Sequence, residues 1–230
     1  MTLISKKLLK DLSLFEDLHP STYTRLMEIG RIEHYKSGTY LFREKDHLTC
    51  FYILLSGTTC MYKTNSNGQL KTIFIFGKDT LLNETLFDST PSSINCKVYE
   101  DCKVLVFYRT DLLPLFQSDF QLTTNFVNHL SKRIRRLYRQ LKNSTSVIKM
   151  EKKLAAKLWK LAQDYGIPQE GGNLINFPIT ITSLSELLGS YRETVSRALK
   201  VLVEQNLVIY ENKFIFIPDM DQLSAFFKAP

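Results

Sequence analysis

The sequence predicts an α+β chain: short strands gathered in the first half, one long helix in the middle, and a helix–turn–helix closed by a hairpin. Three observations predict it. From Ile32 to Phe107 apolar residues come in short runs punctuated by turn residues, the pattern of strands in a small β-domain. From Phe120 to Leu141 the apolar spacing lengthens to alternating threes and fours, which is helical. From Leu184 to Ile217 an apolar stripe, a glycine, an amphipathic stretch and two further strand-like runs follow in order.

A helical segment around Leu8 to Leu18 opens the chain. Tyr35-Lys36-Ser37-Gly38 then turns into a strand at Thr39 to Phe42. Phe51 to Leu55 is an apolar run ended by Ser56-Gly57; Thr58 to Lys63 alternates and meets Asn65-Ser66-Asn67-Gly68, a hairpin signature. Thr72 to Phe76, Asn95 to Tyr99 and Lys103 to Phe107 complete the series. Such spacing predicts a β-roll of the jelly-roll type.

Next comes the seam Phe120, Thr123, Val127, Leu130, Ile134, Leu137 and Leu141, flanked almost wholly by polar and basic residues. The stripe fits either a second identical helix or the chain's own β-domain. Its narrowness favours the first, a two-fold dimer through Val127, Leu130, Ile134, Leu137 and Leu141. Glu151 to Tyr165 forms another helix, and Gly166, Pro168 and Gly171-Gly172 mark a loop after it. The division that follows is 1–115 for the β-roll, 116–148 for the dimerisation helix and 149–230 for the last unit.

Within that unit, Leu184, Leu187 and Leu188 give a short helix opened by a capping box of Ser183 with Glu186. Gly189 supplies the turn. Placed on a helix, Arg192, Glu193, Ser196, Arg197 and Lys200 share one arc, and Val195, Ala198, Leu199 and Leu202 lie opposite. Arginine matches the guanine edge in a DNA major groove and glutamate the amino group of cytosine. Leu207 to Tyr210, a Glu211-Asn212-Lys213 turn and Phe214 to Ile217 read as a wing. The alternative, a surface helix with merely solvated charges, explains the periodicity but neither the turn nor the wing.

Composition agrees. The net charge is +7, yet from Lys132 to Lys160 eleven Lys or Arg face a single acid, Glu151. A basic middle and a mildly acidic remainder suit a polyanion met locally, although individual lysines there can simply be solvated. No apolar run approaches the roughly 20 residues of a membrane span. Met1 to Lys10 has no apolar signal region, so a cytoplasmic location is expected. Cys50, Cys60, Cys96 and Cys102 show no metal-ligand spacing with His19, His34, His47 or His129. Reduced, buried thiols are expected, with Cys96 and Cys102 able to approach one another across a loop. No metal, cofactor or catalytic residue is expected. The sequence holds no glycine-rich phosphate loop, nucleophile elbow or HExxH motif, and Glu84 with the scattered histidines forms no acid–base set.

The order β-roll, long helix, winged helix resembles the CRP/FNR family of bacterial transcription regulators along nearly the whole chain. The most specific match is Arg192-Glu193-Thr194-Val195-Ser196-Arg197, against the family's R-E-T-V-x-R; the Phe15 to Leu18 start, Phe51 to Gly57 and Gly68 also look like its β-roll. The resemblance implies a homodimer on double-stranded DNA, with recognition helices about 34 Å apart. It implies that Arg192 and Arg197 contact guanines and Glu193 a cytosine of a TGTGA-like half-site, with Ser196 on the same base-facing arc. Tyr191, Thr194 and Lys200, with Ser183 and Lys213, would hold phosphates. RNA polymerase would be a partner if the protein activates.

The resemblance weakens at the sensor. Cyclic-nucleotide binders of the family carry Gly-Glu and then Arg-Ser; here stand Leu82-Asn83-Glu84 and Pro91-Ser92-Ser93. Glu84 can meet a ribose hydroxyl, but Ser92 replaces the guanidinium that faces phosphate, and an anion buried without that partner is costly. Asn83, Glu84, Ser92, Ser93 and Tyr138 are the candidate pocket, cyclic AMP is expected to bind poorly, and the effector is not named by the residues. The cysteine cluster of iron–sulfur sensors and a haem-binding Cys/His set are both missing. A second function class remains open: a small-molecule-binding β-domain for which DNA is incidental.

Overall fold

Apolar residues at alternate positions of two long strands organise the first half of the protein. The computed structural model describes residues 4–64, 68, 70–84, 87–88, 90–144 and 148–229. By contact the chain divides into two compact units, residues 1–63 with 73–145, and 64–72 with 146–230.

In the first unit, α1 (Lys6–Lys10), a 3-10 turn (Ser13–Phe15) and α2 (Pro20–Ile29) precede six strands. These are β1 (Arg31–Tyr35), β2 (Tyr40–Phe42), β3 (Cys50–Thr64), β4 (Leu70–Phe76), β5 (Thr80–Leu81) and β6 (Asn95–Tyr108). The sheet order is β1-β6-β3-β4, with β2 also on β6 and β5 on β3. Strand side chains alternate between faces, and two cores result. Phe51, Ile53 and Leu55 of β3, with Leu105 and Phe107 of β6, face the helices. Cys50 and Leu54, with Cys96, Val98, Cys102, Val104 and Val106, face the sheet's interior alongside Phe42, Met61, Phe74 and Phe76. Each fully buried large side chain contributes about 1.5–3 kcal/mol.

Two expectations are corrected here. Phe51 to Leu55 and Thr58 to Lys63 belong to one strand, as do Asn95 to Tyr99 and Lys103 to Phe107. The punctuation read as strand ends is a set of β-bulges, with register breaks between Leu54 and Ser56, Ser56 and Thr58, and Thr58 and Thr59. Gly57 sits in that stretch at φ +81°, and a Cβ there would come within 2.3 Å of the Asp101 carbonyl. Glycine is required. Consequently Cys96 and Cys102 lie on a single strand rather than across a loop, their thiols unbridged. Burial, then the Asp101 charge, pushes the Cys102 thiol up to about 11. The hairpin signature at Asn65-Ser66-Asn67 lies outside the described residues.

After β6, α3 (Arg109–Ser118) and the 25-residue α4 (Phe120–Ser144) follow. Phe116 of α3 and Phe126 of α4 meet edge-on at 5.3 Å and both contact Phe51, which fixes the start of α4 on the sheet.

The second unit contains α5 (Met150–Tyr165), β7 (Gly166–Gln169), β8 (Gly172–Ile175), α6 (Ile181–Leu188), α7 (Arg192–Glu204), β9 (Ile209–Glu211), β10 (Phe214–Ile217) and α8 (Met220–Lys228). The expected loop at Gly166 to Gly172 is a hairpin. It joins the wing in a four-stranded sheet ordered β7-β8-β10-β9. Its turn-forming glycine, Gly171, has φ +80°. Glycine and proline at the hairpin's ends hid the strand signal. No helix of the described residues is long and apolar enough to cross a membrane.

Candidate nucleic-acid interface

Helix α6 begins earlier than its sequence signature suggests. The cap is Thr180, whose side-chain oxygen accepts from the Ser183 amide at 3.0 Å. Ser183 therefore sits inside the first turn, its hydroxyl 2.8 Å from that of Thr180. Gly189 ends the helix in the left-handed region, φ 61° and ψ 43°, where a side chain is strained. The chain then re-enters helix at Arg192, with Tyr191 as the N-cap residue.

On α7 the division of faces is clean. Val195, Ala198, Leu199 and Leu202 are buried. Tyr191, Arg192, Glu193, Thr194, Ser196, Arg197 and Lys200 are all exposed. Lys200 lies 3.6 Å from Glu204 one turn on, an exposed pair of small worth. The wing turns through Asn212 and Lys213, φ 50° and 69°, the positive pair of a two-residue hairpin turn. It is tied to the approach to α6: the Ile179 amide donates to the Lys213 carbonyl at 2.6 Å, and the Tyr210 hydroxyl donates to the Ile179 carbonyl at 3.0 Å. The wing is thus tied to the entry of α6, and α7 presents two arginines, a glutamate and a serine outward.

The candidate pocket residues are divided in their duties. Asn83 is buried; its Oδ1 accepts from the Tyr52 amide at 3.1 Å and its Nδ2 donates to the Cys50 carbonyl at 2.8 Å. Ser92 is buried too, its hydroxyl donating to the Ile94 carbonyl at 2.9 Å. The Ser93 carbonyl accepts from Lys63 at 2.8 Å, and Tyr138 is 67% exposed. Glu84 faces Arg133 of α4, Oε2 to Nη1 3.2 Å. Arg133 also donates to the carbonyls of Leu81 and Leu82. Burial draws its pKa below the usual guanidinium value; Glu84 opposes that and Arg136 adds to it.

Residues 32–119 match the family described as the cyclic nucleotide-binding domain, and residues 152–226 the Crp-like helix-turn-helix domain. The chain belongs to the CRP/FNR family of transcription regulators. Its DNA-binding domain is the helix-turn-helix. This CRP/FNR member is 29% identical over 206 residues to the anaerobic regulatory protein of Bacillus subtilis, covering 87% of the chain and 85% of that protein. It is 28% identical over 201 residues to the cyclic AMP receptor protein of Thermus thermophilus, covering 87% and 89%. In fold it is similar to the c-di-GMP responsive global regulator CLP of Xanthomonas campestris, with a TM-score of 0.75 at 18% identity over 87% of this chain and all of that one. FixK2 from Bradyrhizobium japonicum gives 0.74 at 18% identity, covering 85% and 96%.

Sequence reasoning missed one residue set in this CRP/FNR chain. Helix α4 carries a second stripe, spaced four and three: Leu122, Phe126, His129, Arg133, Arg136 and Gln140. Leu122 and Phe126 are buried in the core beside the sheet. Arg136 stacks over Phe74 and Phe76 at 5.2 and 5.4 Å, and Gln140 donates to the Ile73 carbonyl at 2.8 Å. Because its second half is polar, it passed for a solvated face. The heptad spacing itself was the available signal.

Proposed function

We propose that this regulator works as a homodimer reading a TGTGA-like palindromic site in double-stranded DNA. Arg192 and Arg197 contact guanines, Glu193 a cytosine, and Ser196 lies beside them. Tyr191, Thr194, Lys200, Ser183 and Lys213 hold phosphates. The observation that carries this is the outward arc of Arg192, Glu193, Ser196 and Arg197 on a helix whose opposite face is buried. The functional division is a sensor at 1–115, a dimerisation helix at 116–148 and a DNA-binding domain at 149–230. The dimer forms through Val127, Leu130, Ile134, Leu137 and Leu141. In support, Val127, Ile134 and Leu137 are 52%, 46% and 40% exposed; Leu130 leans instead against the core of its own unit. The protein acts in the cytoplasm, with RNA polymerase as its protein partner where binding activates.

Cyclic AMP is not the effector in this proposal, because Ser92 is spent on Ile94 and offers no cation. Replacing Arg192 and Arg197 by Ala tests the DNA assignment. Each variant should lose about 1–3 kcal/mol of discrimination for its guanine, read by anisotropy on a labelled duplex. Unchanged specific binding would remove the assignment.

A further inference from the structure

Arg133 is partly buried, with its side chain only 14% exposed, and neither the recognition helix nor the exposed seam uses it. We propose that Arg133 is an internal latch: it ties α4 to the 81–84 segment from within the chain, so that the sensor holds its DNA-competent arrangement with no small molecule bound. The DNA arm of this proposal rests on the function proposed above; the latch itself does not.

The geometry is that of a crosslink. One guanidinium reaches three acceptors, the carbonyls of Leu81 and Leu82 and the carboxylate of Glu84. Its planar fork suits such a span. Its Cζ lies 5.1 Å from the centroid of the Phe76 ring. The segment it grips is held on its other side by β3: Leu81 pairs with Ile53, and the Leu82 amide donates to the Tyr52 carbonyl at 2.8 Å. Segment 81–84 is thereby clamped between β3 and α4. Arg136 and Gln140, one and two turns further along the same stripe, extend the attachment to β4. Because a buried guanidinium is costly without its carboxylate, Glu84 and Arg133 depend on each other. That mutual satisfaction is what an anionic ligand would otherwise have to supply to a cation at this place. Helix α4 is also the last element before residue 146, where the second unit resumes, so its anchoring bears on the DNA-binding domain through the chain itself.

Hydrogen exchange and duplex binding, both on the full-length protein, test the latch. Arg133→Gln should speed exchange of the 80–84 amides about tenfold or more, as expected for losing hydrogen bonds to a charged donor. Arg136→Gln, which removes ring stacking and a like charge beside Arg133, should change them less than about threefold. Arg133→Lys should fall between, since an ammonium cannot span three acceptors. If Arg133→Gln does not fold, Glu84→Gln should move exchange in the same direction. On a TGTGA-type duplex with no ligand added, the parent should bind and Arg133→Gln should bind at least about tenfold more weakly. Arg192→Ala should bind the duplex about tenfold or more weakly while leaving exchange at 80–84 unchanged. Failure of the parent to bind would sink the DNA reading, and the exchange data would still decide the latch. Unchanged exchange in both Arg133→Gln and Glu84→Gln overturns it. So does a rise of about tenfold in parent affinity on adding cyclic AMP, cyclic GMP or inorganic phosphate, which would show a site waiting for its ligand.

Discussion

Asp119 gathers four donors around one carboxylate: the hydroxyl of Thr22 at 2.7 Å and the amides of His19, Gln121 and Leu122 at 3.0, 3.0 and 3.3 Å. It caps α4 and pins α2 to it in the same stroke. Burial works to raise its pKa, but these bonds outweigh burial and hold the carboxyl below the ordinary value. Asp119→Ala should therefore cost about 2–3 kcal/mol, the loss of a cap with partners left unsatisfied, seen as a lower urea midpoint at neutral pH. An unshifted midpoint would show that water replaces the carboxylate. His129, on the same helix, has its Nε2 3.0 Å from the Ser13 hydroxyl. Burial lowers its pKa below 6.5; Asp79 opposes, while Lys132 and Arg133 reinforce. The unfolded chain then binds more protons than the folded one just below pH 6.5. The neutral ring's contribution is whole above that value and is lost as pH falls towards the depressed one. His129→Gln should flatten this part of the stability curve as pH falls below about 6.5; parallel losses in both proteins would assign the titration elsewhere. At this scale the sequence was legible where side chains face solvent by period, as on α7. It was not legible at Asp119 or Arg133, whose partners stand far away in the chain.

Among the elements, the helix–turn–helix was the most readable, because a left-handed glycine and a two-residue wing turn mark it by local chemistry; its hydroxyl cap was read three residues late, at Ser183 rather than Thr180. The strands were less so. Bulges in β3 at Ser56-Gly57 and the length of β6 look like strand ends in a one-dimensional pattern, and only pairing across the sheet reveals continuity. The hairpin β7-β8 and the helices α2, α3 and α8 went unpredicted, since their apolar residues gain their meaning from packing. Helix α4 was read for one stripe and has two, one turned to its own sheet and one outward. The outward one makes a prediction. Ile134→Asp should convert a dimer to monomer in sedimentation velocity, because an unpaired carboxylate in a two-helix seam costs several kcal/mol. A dimer that persists with unchanged affinity would move the interface off α4.

For the whole molecule, the basic run from Lys132 to Lys160 spans the end of the first unit and the start of the second. Apart from Lys149, which precedes α5, it falls on α4 and α5, and one of its charges, Arg133, is turned inward rather than toward a polyanion. Overall charge therefore suggested a nucleic-acid partner correctly in kind, but the reading of bases is assigned to a different place, the outer arc of α7. That assignment is the central claim. It is tested most directly by titrating the parent, Arg192→Ala and Arg197→Ala against an inverted pair of TGTGA half-sites and against the same duplex with each guanine replaced in turn. The account predicts that the parent loses about tenfold or more on a guanine replacement, and that each variant becomes indifferent to one guanine while still sensing the other. Variants that bind the intact duplex as tightly as the parent, and feel every replacement as it does, would contradict it.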